Sequence, residues 1–66
     1  MNNLKSLRAA AGLTQQQLAD ASGVSRQQIA KIESGIINIE NISLRTALAL
    51  SSALCVRAED LTKSTP

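Results

Sequence analysis

Residues 13–35 read LTQQQLADASGVSRQQIAKIESG, and the reading of this stretch decides the fold. Thr14 with Gln17 three residues on has the spacing of a reciprocal capping box, so a helix starts at Thr14 and turns Leu18 and Ala19 inward. Gly23 supplies a turn, because glycine takes a positive φ at little steric cost. Ser25 with Gln28 repeats the capping signal, and Ile29 and Ile32 form the apolar stripe of a second helix that Gly35 stops. Two short helices held at a steep angle by such a turn make a helix-turn-helix unit.

The flanks extend this pattern. A first helix is expected over residues 2–11, capped by Asn2 or Asn3, with Leu4, Leu7 and Ala11 on one face and Gly12 ending it. Residues 36–42, IINIENI, are apolar and β-branched, unlike an ordinary polar loop. A fourth helix runs from Ser43 to Leu54, with Leu44, Ala47, Leu48 and Leu54 available for burial. A last short helix near 58–62 docks Leu61, and residues 63–66 are expected to fray. The expectation is one all-α domain over residues 1–66, a compact five-helix fold with helices two and three as its helix-turn-helix. At 66 residues it buries only about 60% of the surface its unfolded chain exposes, so its core is thin.

Composition narrows the function classes. There are no aromatic residues, so the interior is built from Leu, Ile, Val and Ala. Base stacking on aromatic rings is also excluded, which favours a double-stranded partner over single strands or RNA. A lone cysteine, Cys55, allows no internal disulfide, and with no histidine no metal cluster is expected. No apolar run approaches a membrane span and no signal-peptide pattern opens the chain, so a soluble, cytoplasmic protein is expected. With no paired-carboxylate site either, neither enzymatic chemistry nor a cofactor is expected.

The net charge of +2 says little, but its distribution says more. Residues 1–35 carry Lys5, Arg8, Arg26 and Lys31 against Asp20 and Glu33. Residues 36–66 balance Arg45, Arg57 and Lys63 against Glu40, Glu59 and Asp60. All the excess positive charge therefore lies with the helix-turn-helix. On a wheel of about 100° per residue, Arg26, Gln27, Ala30 and Lys31 share an arc of roughly 140°, with Ile29 and Ile32 on the other side. Long hydrogen-bonding side chains flanking a small alanine let a helix sit deep in the major groove of DNA. Arg and Lys suit guanine O6 and N7, Gln suits adenine N6 and N7, and Ala30 can touch a thymine methyl. Gln15 and Gln16 open the preceding helix, where free amide groups and the positive dipole end attract a phosphate.

The stretch from Gly12 to Gly35, GLTQQQLADASGVSRQQIAKIESG, resembles the Cro and phage-repressor type of helix-turn-helix, the Xre family, and the likeness runs from Leu4 to about Leu61. Ala19 matches the family's small residue between the two helices, Gly23 its turn glycine, and Val24, Ile29 and Ile32 its core plugs. The resemblance implies a lambda-repressor-like fold and a dimeric regulator of double-stranded DNA. It places Arg26, Gln27 and Lys31 at base-reading positions and Gln15 at the phosphate-binding start of helix two. Gln28 falls where the backbone is more often touched, and Gln16 and Ser25 join the phosphate candidates. Arg8 and Glu33 match a structural ion pair between helices one and three. The region after the fourth helix often meets a two-fold mate in this family, which makes Cys55, Val56 and Arg57 the dimer candidates.

The chain departs from the family after helix three. Ile36, Ile37, Asn38, Ile39, Glu40, Asn41 and Ile42 replace a shorter polar or basic link, and they carry an acid but no Lys or Arg. Fewer neutralised phosphates imply a shallow salt dependence. The four isoleucines need burial, either against the domain's own core or as a patch for a second protein through Ile36, Ile37 and Ile39. The second option keeps an alternative function open: a protein-binding module such as the antitoxin of a toxin pair. Cys55 stands where the family often ends helix four with glycine, and Arg57 where a capping Ser or Thr is common. Helix four is therefore expected to end less cleanly, the last helix to be loosely held, and Cys55 to be a semi-buried apolar group.

Overall fold

The computed structural model describes residues 3–62, and every regular element in them is helical. Helices α1 (Leu4–Ala10), α2 (Gln15–Ser22) and α3 (Arg26–Ser34) are followed by a 3-10 turn at Ile39–Asn41, helix α4 (Leu44–Leu54) and another 3-10 turn at Ala58–Leu61. The expected fifth helix is thus a 3-10 turn, leaving four α-helices. Asn2 and residues 63–66 lie outside the described residues, so the cap at Asn2 and the frayed tail do too.

The caps of the motif follow the sequence closely. Thr14 Oγ1 accepts from the Gln17 N–H at 3.0 Å, and Gln17 Oε1 accepts from the Thr14 N–H at 2.9 Å. Gly23 takes φ 77° and its N–H donates to the Ala19 carbonyl at 2.8 Å, closing α2. Ser25 Oγ accepts from the Gln28 N–H at 3.1 Å to open α3. Helix α1 is shorter than expected, and Ala11 lies exposed beyond its end. Its N-cap, Asn3, makes no side-chain cap. Asn3 is spent on closing the domain instead, donating from its N–H to the Leu61 carbonyl at 2.9 Å and from Nδ2 to the Asp60 carbonyl at 3.3 Å.

Leu4, Leu18, Ala19, Val24, Ile29, Ile32, Ile39, Leu50, Leu54 and Leu61 form one continuous core. Helix α4 packs against α2 and the second 3-10 turn, while α2 packs against α3. The expected inner face of α4 is half wrong. Leu54 is buried and Ala47 half-buried, but Leu44 is 72% and Leu48 52% exposed, and Leu50 with Ser51 takes the inward side. Leucine occurs on both sides of this helix, so periodicity alone could not phase it. Buried Ser51 is satisfied by donating from Oγ to the Leu48 carbonyl at 3.1 Å.

The isoleucine segment divides. Ile39 enters the core, Ile37 and Ile42 pack half-buried against it, and Ile36 stays 76% exposed. Ile39 therefore cannot offer a free surface to another protein, which corrects its place in the candidate patch. The Asn38 carboxamide caps the 3-10 turn by accepting from the Glu40 N–H at 3.0 Å.

The end of α4 is also cleaner than expected. Cys55 adopts the left-handed conformation at φ 58°, and the Cys55 and Val56 N–H groups donate to the Ser52 and Ser51 carbonyls at 3.2 and 3.0 Å. The cysteine does glycine's work without glycine's freedom, at a cost of about 1 kcal/mol. It is exposed rather than semi-buried. The last turn is firmly held too: an Asp60 carboxylate oxygen accepts from the Arg57 N–H at 3.1 Å, and Leu61 is fully inside.

Candidate nucleic-acid interface

Helix α3 presents two chemically distinct sides. Ile29 and Ile32 are completely buried, whereas Arg26, Gln27 and Lys31 are exposed. Ala30 and Gln28 are half-buried, so the alanine is recessed between longer side chains. Among the described residues neither Arg26 nor Lys31 forms an ion pair, and both cationic tips are uncommitted. Ser25 is exposed at the helix start, its hydroxyl already accepting the cap hydrogen bond.

The two phosphate candidates of α2 are engaged within the molecule. Gln16 Nε2 donates to Asp20 Oδ1 at 3.0 Å, one turn along an exposed face. Gln15 Nε2 donates to Glu33 Oε1 at 3.1 Å, reaching across to α3. The first-turn N–H groups of α2 have no intrahelical acceptor, so this end keeps partial positive charge.

Glu33 is the anchor behind the reading surface. Arg8 donates to it twice, Nε to Oε2 at 2.6 Å and Nη2 to Oε1 at 3.1 Å, while Arg8 Nη1 donates to the Leu13 carbonyl at 2.8 Å. The side chains are 14% and 5% exposed for Arg8 and Glu33, so water competes little for this pair. Burial alone pushes the Glu33 carboxyl up. Hydrogen bonds from Arg8 and Gln15, with the charges of Arg8 and Lys5, outweigh that and hold it below its ordinary value. The same hydrogen bond to Glu33 holds the Arg8 guanidinium above its own, against the opposing effect of burial.

Beside this pair lies a shallow cleft of about 270 Å³ lined by Lys5, Arg8, Gln15, Ala30, Glu33 and Ser34. Lys5, the Leu13 carbonyl and the bond from Gln15 to Glu33 went unrecognised in the sequence. One signal was available: a buried carboxylate has about four acceptor sites, more than one guanidinium fills.

The remaining candidates lie elsewhere. Cys55 and Arg57 are exposed and Val56 is half-buried, all beyond the end of α4. Among the described residues no cluster could hold a metal ion, and no helix is long and apolar enough to cross a membrane.

A helix-turn-helix family model matches residues 4–61, nearly the whole chain and all of its core. The chain belongs to the Cro/C1-type helix-turn-helix family. It is a DNA-binding helix-turn-helix domain, and α3 is the helix that occupies the recognition position of that motif. No curated protein matches its sequence significantly.

Proposed function

We propose that this domain is a sequence-specific regulator of transcription that reads the major groove of double-stranded DNA with α3 and acts as a repressor by covering promoter DNA. The observation that carries this reading is the outer face of α3, where exposed Arg26, Gln27 and Lys31 surround recessed Ala30. Arg26 and Lys31 suit guanine, Gln27 suits adenine, and Ala30 allows close approach. Ser25 and Gln28 lie at the start of the same helix, and Gln16 near the start of α2, where backbone contacts orient a reader on DNA. The regulator would work in the cytoplasm.

It acts as a homodimer. The longest dimension of the domain is 25 Å, short of the 34–36 Å that separates successive major grooves on one face of DNA. Reading two half-sites therefore takes two copies. Exposed Leu44 and Leu48 on α4, with Cys55, Val56 and Arg57 beyond the end of the same helix, support pairing along α4.

Exposed Ile36 favours a second reading, in which the domain also binds another protein, as an antitoxin does. Ile37 is half-buried and would contribute only its outer edge.

The test is selection from genomic fragments at two salt concentrations, with wild type beside the double variant Gln27→Ala, Lys31→Ala. A two-fold symmetric site that the variant no longer enriches is the expected result. Equal enrichment of all fragments by both proteins would overturn the reading and turn attention to protein partners of Ile36.

A further inference from the structure

We propose that Gln15 is a positioning residue for the recognition helix, acting through Glu33, and that this tie rather than a phosphate contact is its main contribution to DNA reading. The inference rests on the proposed function and names a residue that sets its specificity.

Three helices converge on one carboxylate. Arg8 brings α1, and through the Leu13 carbonyl also the link to α2, while Glu33 belongs to α3. Gln15 adds the start of α2, its Nε2 sharing Glu33 Oε1 with Arg8 Nη2, each at 3.1 Å. Arg8 by itself joins α1 to α3 and leaves the angle between α2 and α3 to the turn and the core.

The position of Gln15 gives this bond leverage. It is the first residue of α2, and Gly23 caps the other end, so about 12 Å of helix separates the tie from the turn. A rotation of about 5° at Gly23 moves that end by about 1 Å, enough to break a hydrogen bond. Near the turn the same bond would constrain the angle far less. Glu33 lies one turn beyond Ala30 and Gln15 lines the same cleft as both, so the tie lies beside the recessed alanine of the outer face of α3.

Electrostatics agree with the geometry. The Gln15 hydrogen bond is one of the contacts holding the Glu33 carboxyl below its ordinary value. Glutamine reinforces that carboxylate without adding charge, leaving the ion pair with Arg8 balanced.

The test compares wild type with Gln15→Met, which keeps side-chain length but lacks a donor, and with Gln15→Asn, which keeps the amide but is one methylene too short to reach. Affinity is measured on the selected site and on a random duplex, and the Glu33 carboxyl is titrated by NMR in the free protein. Both variants are expected to lose about tenfold on the selected site, retain wild-type affinity for random DNA, and titrate Glu33 at higher pH than wild type. An equal loss on both duplexes with unchanged Glu33 titration would make Gln15 a phosphate contact and overturn the proposal. If wild type prefers no site, the DNA-reading function falls and the specificity role with it; the Glu33 titration then separately decides whether the tie exists.

Discussion

Helices α3 and α4 are both short, both capped by serine and both amphipathic, yet they handle their aliphatic residues differently. In α3 the two isoleucines are wholly inside, and everything facing out is polar or small. In α4 Leu50 and Leu54 are inside while Leu44 and Leu48 face out. The outward side of α3 is thus shaped to meet something hydrogen-bonded and charged. That of α4 keeps an apolar surface that water does not reward. A second contrast runs with the first: α3 is tied to its neighbours by a largely buried ion pair, whereas α4 is held by packing and by its caps.

The largest expected effect breaks the tie behind α3. Arg8→Ala leaves Glu33 buried and charged, at a cost of about 3–5 kcal/mol, on the order of the whole stability of so small a domain. Thermal melting followed by circular dichroism should lose its cooperative transition at 25 °C and neutral pH. A melt within a few degrees of wild type would show that water replaces Arg8. Acid sharpens the same point. Glu33 titrates lower when folded than its ordinary 4.5, so its contribution is present above that value and disappears as pH falls through the lower folded one. Wild type should lose stability across that interval, and Glu33→Gln should lose less.

Next comes the phase of α4. Leu50→Ala should cost about 2–5 kcal/mol in urea unfolding, because it opens a cavity in a fully packed site. Leu48→Ala, two positions earlier, should stay within about 0.5 kcal/mol in dilute protein. Comparable losses at both would mean that the outer face is covered even in the isolated chain.

Arg26→Ala tests the outer face of α3. It should weaken binding to the selected site by about 1–3 kcal/mol and relax preference at one base position while the urea midpoint stays fixed. A loss of equal size on random DNA would reassign Arg26 to the phosphates. The smallest effect concerns the end of α4: Cys55→Gly should stabilise the domain by about 1 kcal/mol by removing the left-handed strain, read as a higher urea midpoint.

Between Thr14 and Gly35 the sequence was legible because each signal there is local. A hydroxyl finds its partner three residues on, and glycine takes a dihedral angle that its neighbours do not influence. The stripe of Ile29 and Ile32 had no competing large apolar residue on the opposite side of α3, where Ala30 is the one small apolar side chain. These features fixed the motif and the exposure of Arg26, Gln27 and Lys31, and the resemblance carried by the same residues pointed to DNA.

Other outcomes depended on groups distant in the chain. Which leucines of α4 go inside was decided by where α2 and the last turn pack, since the helix offers apolar residues on two sides. Of the isoleucines in residues 36–42, Ile39 enters the core and Ile36 does not, a division that four like residues in a row of seven could not announce. Whether Gln15 was free was decided by Glu33, eighteen residues away, arriving within hydrogen-bond distance. A periodic pattern specifies which face a residue shares, but only the assembled neighbours determine whether that face meets protein or water.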